Sequence, residues 1–139
     1  MKIRVIGIIC LLAFFAMIYS CQNDASIEYG RYYSGGAVVY ETHCLNCHGD
    51  KGQGLNSLIP PLTDTILLKD HNILTCQLKN GISGQIIVGG KNYDGAMPAS
   101  GLTPIEIAQV ITYVTNSFGG KQGLFTDDQV QTALNNCSK

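Results

Sequence analysis

The pentapeptide Cys44-Leu45-Asn46-Cys47-His48 constrains this chain more than any other stretch. Cysteines at i and i+3 stand on one side of a helical turn. Their sulfurs are then spaced for thioether bonds to the two vinyl groups of one porphyrin, and C-x-x-C-H is the attachment sequence of a c-type haem. His48, one residue on, can place an imidazole nitrogen on the iron from one face. A chain held this way must wrap on a flat, rigid group, which suits its plentiful glycine and its lack of tryptophan. Two other chemistries use paired cysteines. A redox dithiol follows a strand and opens a helix, but residues 34–43 read as helix before the box. A structural zinc site needs a second ligand pair at short spacing, and Cys76 and Cys137 stand far apart.

The 139 residues suit one domain, and a formal net charge of -1 excludes a strongly basic nucleic-acid binder. Lys2 and Arg4 precede a nearly unbroken apolar run, Val5 to Tyr19. That run is shorter than the roughly 18–20 residues that span a bilayer, so residues 1–20 read as a signal peptide. Ile18-Tyr19-Ser20-Cys21 resembles a bacterial lipobox, with Tyr19 and Ile18 departing from its commonest form. Cys21 is the expected lipidation site; an ordinary cleaved signal and an uncleaved anchor are the alternatives. The protein is then expected to be exported, anchored by its lipid and facing the periplasm or the cell exterior. Residues 21–33 read as a tether to the membrane, reaching at most about 40 Å when extended. With Cys10 removed, Cys21 lipidated and Cys44 and Cys47 committed, Cys76 and Cys137 remain. In an oxidising compartment they form a disulfide or stay as two separate thiols.

Residues 34–139 read as one domain, its core at 34–118 and its extension at 119–139. Ser34 is a candidate helix cap. Asp70 to Lys79 reads as a helix capped by Asp70 and stopped by Asn80-Gly81, with Ile73, Leu74 and Leu78 on its apolar face. Ile86-Ile87-Val88, Gly89-Gly90 and Lys91-Asn92-Tyr93 read as a small hairpin. Thr103-Pro104-Ile105-Glu106 is a capping box with proline at the first helical position. Ile107, Val110, Ile111, Val114 and Phe118 then recur at helical spacing, and Gly119-Gly120 ends the helix. Thr126-x-x-Gln129 caps a last short helix to about Asn135.

Gly36-x-x-x-Tyr40-x-x-x-Cys44-x-x-Cys47-His48-Gly49 resembles the N-terminal helix of class I cytochromes c. Gly90-x-x-Tyr93-x-x-x-Met97-Pro98 is similar to a stretch in the small cytochrome c domains that serve nitrite reductases, alcohol dehydrogenases and terminal oxidases. The resemblance covers Ser34 to about Phe118. It implies an all-α class I fold of roughly three to five helices around one covalently bound haem c, with a small β-hairpin before the axial methionine loop. It also implies that Gly36 lets the C-terminal helix cross closely, with Tyr40 and Tyr113 as the aromatics of that crossing. Pro60 stands where the family offers a carbonyl to the haem histidine; a plain rigid turn is the alternative. Tyr93 either reaches a haem propionate or serves as a core aromatic.

Met97 is the only methionine beyond residue 20. It lies downstream of the haem box in a Met-Pro loop before a helix, so it is the expected second axial ligand opposite His48. His71 and His43 are weaker candidates for that position. The resemblance implies a monohaem carrier of single electrons between a redox donor and an acceptor at the membrane, alone or as a subunit of a respiratory complex, and not an enzyme. A haem-based gas sensor or peroxidase-like enzyme with a labile sixth ligand is the alternative. No distal histidine-arginine pair is evident, Arg31 being the only arginine beyond residue 20. The extension past Gly120 is available to a partner or to a membrane.

Overall fold

The computed structural model describes residues 2–19, 24–64 and 66–137. In chain order they form α1 (Lys2–Tyr19), α2 (Asp24–His43), α3 (Leu45–His48), a 3-10 turn (Leu67–Lys69), α4 (His71–Asn80), β1 (Ile86–Val88), β2 (Lys91–Tyr93), α5 (Pro104–Ser117) and α6 (Asp127–Asn135). The architecture is helical with one small antiparallel sheet, as the resemblance implies. In that sheet Ile86 pairs with Tyr93 and Val88 with Lys91 around the Gly89-Gly90 turn. Among the described residues no helix is long and apolar enough to cross a membrane. Cys21, the expected lipidation site, lies outside the described residues.

The core forms where α2 crosses α5. Val39 and Tyr40 from α2 pack with Ile107, Val110, Ile111 and Val114 from α5. Gly36 makes this crossing possible. A Cβ there would stand 2.6 Å from the Gln109 carbonyl carbon and 2.7 Å from Tyr113 Cβ, inside ordinary contact. Glu106 accepts hydrogen bonds from the Thr103 backbone N–H at 2.9 Å and its hydroxyl at 2.6 Å, which fixes the start of α5. On α4, the Asp70 carboxylate accepts from the N–H groups of Asn72 and Ile73, satisfying two of the orphan donors of a helix start.

Three elements differ from their sequence reading. First, residues 24–33 are not an extended tether: α2 begins at Asp24, and Ser34 lies inside it, its hydroxyl donating to the Gly30 carbonyl at 2.7 Å. Distant contacts hold this added helix. Tyr32 donates to the Asp127 carboxylate at 2.7 Å, and the Tyr33 ring lies 5.2 Å from that of Tyr113. Second, Ile73 is 52% exposed, and the buried positions on α4 centre on Leu74, Thr75 and Leu78. Third, the extension past Gly120 folds back on its own domain. Val130 and Ala133 of α6 are buried, and the Thr112 hydroxyl both donates to the Phe125 carbonyl and accepts from its N–H. The helix α5 is therefore covered on a second side, where Ala108, Thr112 and Thr115 are buried. Cys76 of α4 and Cys137 are joined by a disulfide, their Cα atoms 5.5 Å apart.

Candidate functional site

The C-x-x-C-H box follows directly from α2. The Cys44 N–H donates to the Tyr40 carbonyl at 2.9 Å, so the helical path continues into the box. The His48 N–H then donates to the Cys44 carbonyl at 2.9 Å, closing the turn that sets Cys44, Cys47 and His48 beside one another. Gly49 ends this turn at φ 79°, a conformation that favours glycine. The Tyr40 hydroxyl donates to the Gly49 carbonyl at 2.6 Å and ties the box back to the α2/α5 core.

These residues open onto a cavity of about 320 Å³. Its wall is mostly apolar, with Leu68, Leu74, Leu78, Val110 and Val114 contributing. Cys44, Cys47, His48 and Met97 all line it, although up to 53 residues separate them in sequence. Pro60 lines it too, while His43 stands exposed on its wall.

Met97 is placed by its backbone. Its N–H donates to the Ile82 carbonyl at 2.9 Å, and its carbonyl accepts from the Ile82 N–H at 2.8 Å. Ile82 follows the end of α4, so this pair of bonds fastens the methionine loop to that helix. The Ser100 N–H adds a bond to the Leu78 carbonyl at 2.9 Å, and the Gly95 N–H one to the Leu58 carbonyl at 3.1 Å. The last of these joins the loop to the segment that carries Pro60. Pro98 is thus one of several restraints.

Burial shapes the chemistry of the box. It pushes the Cys44 thiol up to about 11, with the neighbouring Cys47 adding to the shift, so Cys44 is a thiol at neutral pH before any bond forms. Burial also lowers the His48 pKa, while the Pro60 carbonyl acts in the opposite direction. The imidazole is therefore held neutral, the form that binds metal. Its Nδ1 is buried and has no hydrogen-bond partner among the described residues, while the Pro60 carbonyl favours the ring's charged form and so opposes the effect of burial.

Other candidate residues fall elsewhere. Tyr93 is 5% exposed on β2 and is not among the side chains that line the cavity, so it stands as a buried aromatic of the hairpin. His71 Nε2 lies 3.0 Å from Gln122 Oε1, and its ring stands edge-on to Phe125 at 4.7 Å, also outside the cavity. Among the described residues no group of three or more His, Cys, Asp or Glu side chains is placed to hold a metal ion, as a zinc site would need. Nor, among the described residues, does a strand precede Cys44, as a redox dithiol would need. Sequence reasoning missed Ile82, whose role appears only through its pairing with Met97, and Leu68, a fully buried wall residue on a short 3-10 turn.

The cavity fits a haem on its own terms. It offers an apolar enclosure, two thiols one helical turn apart, a neutral imidazole beside them and a thioether on the same wall system.

The family described as cytochrome c oxidase, cbb3-type, subunit III matches residues 33–114. Cytochrome c-552 of Thermus thermophilus is 36% identical over 90 residues, which cover 60% of this chain and 68% of that protein. A second cytochrome c-552, from a designated strain of the same organism, is 36% identical over 90 residues, covering 60% of each chain. The chain thus spans about two thirds of the length of the first relative and three fifths of the second.

Proposed function

Since this chain belongs to the cytochrome c family described as cytochrome c oxidase, cbb3-type, subunit III, and is an electron-transfer protein with covalently bound haem c, we infer that Cys44 and Cys47 attach that haem and that His48 and Met97 ligate its iron. The observation that carries this reading is the convergence of all four side chains on one apolar cavity. When bound, the haem supplies an iron that changes by one electron between its ferric and ferrous states.

The chain's own residues prepare that change. The two thioether links keep the group from dissociating. His48 enters as a neutral base. Met97 gives a thioether, which favours the reduced iron relative to a second imidazole and so raises the potential. The two Ile82 hydrogen bonds limit how far the Met97 backbone can retreat, and the apolar wall excludes water from the charge that changes. With His48 and Met97 both bound to the iron, no coordination position would remain for a substrate. This favours a carrier over a sensor or a peroxidase-like enzyme.

The proposed partners are a redox donor and an acceptor at a membrane surface. The family description makes a respiratory oxidase the acceptor to test, with this chain as its carrier or its subunit. We further propose export and lipid attachment through Cys21, with the cytochrome domain facing the periplasm or the cell exterior. Transfer of Cys21→Ala from the membrane fraction to the soluble fraction is the expected outcome; unchanged membrane retention contradicts the anchor.

Proton NMR of the reduced protein tests the ligand pair. A methyl group bound above the haem plane is shifted far upfield by the ring current, and that resonance should vanish in Met97→Leu. An unchanged spectrum in the variant would exclude Met97 as the ligand.

A further inference from the structure

We propose that the Cys76–Cys137 disulfide is the substrate of a dithiol reductant, and that its opening releases Met97 from the haem iron. The inference rests on the reading of His48 and Met97 as axial ligands. The disulfide and the methionine loop are fastened to the same short helix. Cys76 lies on α4, and Cys137 follows α6, 61 positions later. Leu74, Gln77 and Leu78 of α4 line the haem cavity, whereas Cys76 does not. The bridge thus ties α4 down from outside the cavity. The far end of α4 carries the loop: the Leu78 carbonyl accepts from the Ser100 N–H, and Ile82, just past the helix, exchanges both backbone hydrogen bonds with Met97. Less than two helical turns of chain separate Cys76 from Ile82.

Little else holds α4. Thr75 is its one fully buried residue, Leu74 and Leu78 are partly buried, and Ile73 is exposed. The helix α6 is seated differently, because Val130 and Ala133 bury it in the core without help from the bridge. An element with few buried contacts opens locally at a lower free energy than the whole domain. With the bridge open, α4 is therefore the element that loosens, and the loop bonded to it moves with it. Met97 is the contact that gives way, since Cys44 and Cys47 are held by covalent links and Met97 is not. The bridge is also within reach of a reductant. Cys76 and Cys137 are both half-buried, and the exposed Asn135 and Asn136 precede Cys137.

In the reaction a thiolate of the dithiol attacks one sulfur of the bridge and forms a mixed disulfide; the other sulfur leaves as a thiolate and takes a proton. The second thiolate of the reductant then attacks the mixed disulfide and releases the remaining cysteine, which also takes a proton. Two electrons and two protons pass to this chain, and the dithiol becomes a disulfide. The closed bridge belongs to an electron carrier. The open bridge belongs to a protein whose sixth position accepts a diatomic ligand.

The test uses the haem-loaded protein, its iron reduced by ascorbate, with and without dithiothreitol, under carbon monoxide. Alkylation and mass spectrometry report whether Cys76 and Cys137 are free thiols, and circular dichroism reports whether the helices persist. Without the dithiol, carbon monoxide should leave the spectrum unchanged and the upfield methionine methyl resonance should be present. With it, that resonance should be lost and a carbon monoxide shift should appear while the helical signal is retained. Reoxidation of the two thiols should restore the first state, and Cys76→Ser/Cys137→Ser should show the second state with no dithiol added. Alkylated Cys76 and Cys137 without a carbon monoxide shift would overturn the switch. So would a shift that comes only with collapse of the helical signal, as expected of a bridge that merely holds the fold. A shift before any dithiol is added contradicts the closed iron on which the switch rests, so the two failures are told apart.

Discussion

Replacing Gly36 by alanine adds one methyl group where α2 crosses α5. The new Cβ stands 2.6 Å from the Gln109 carbonyl carbon and 2.7 Å from Tyr113 Cβ, and it also strikes the Gln109 carbonyl oxygen. Two of the three atoms it meets are backbone, and the third is bound directly to backbone, so no rotamer change relieves the clash. The helices must part by on the order of 1 Å in a core packed like an organic crystal. Overpacking costs about 1–3 kcal/mol, and a clash with backbone belongs at the upper end or above it. Gly30 provides the control in the same helix, because nothing lies within 4 Å of its added Cβ. There alanine only removes the helix penalty of glycine, and Gly30→Ala should stabilise by about 0.5–1 kcal/mol. The assay is urea unfolding of the haem-loaded protein followed by circular dichroism. If Gly36→Ala unfolds within about 0.5 kcal/mol of the wild type, the close crossing is refuted.

Gly81→Ala should loosen the axial methionine, since Gly81 sits at φ 75° and its added Cβ would lie 2.8 Å from the Ala99 nitrogen, against the Met97 loop; carbon monoxide binding by the reduced variant, absent in the wild type, is the readout. Loss of the Cys76–Cys137 bridge, which spans 61 residues, should destabilise by up to about 4 kcal/mol in the chain-entropy account, measured as a lower urea midpoint in Cys76→Ser/Cys137→Ser. Thr126→Ala removes the α6 cap and should cost about 1 kcal/mol in the same assay.

The parts of this fold that were legible in the sequence carry local signals. The haem box, the Asp70 cap, the Gly89-Gly90 turn and the two capping boxes each span only a few residues, and each marks its element where the structure has it. Residues 24–33 have no such signal. Their helix depends on Tyr32 meeting Asp127 and Tyr33 meeting Tyr113, contacts across 95 and 80 positions that periodicity does not reveal. The second buried side of α5 left no apolar pattern for a related reason. Thr112 and Thr115 look polar, yet each is satisfied internally, and α6 covers the side they share. Within the site, Met97 was visible from its position in a Met-Pro loop. Its partner Ile82 was not, because backbone pairing leaves no mark on the identity of the residue.

A spectroscopic redox titration of the purified protein, repeated with carbon monoxide on the reduced form, bears most directly on a closed iron between His48 and Met97. A single reversible one-electron wave, with no spectral change on adding carbon monoxide, is expected of an electron carrier with both axial positions filled. A clear carbon monoxide shift in the wild type would mean an open or labile sixth position, and would contradict the carrier in favour of ligand sensing or peroxide chemistry.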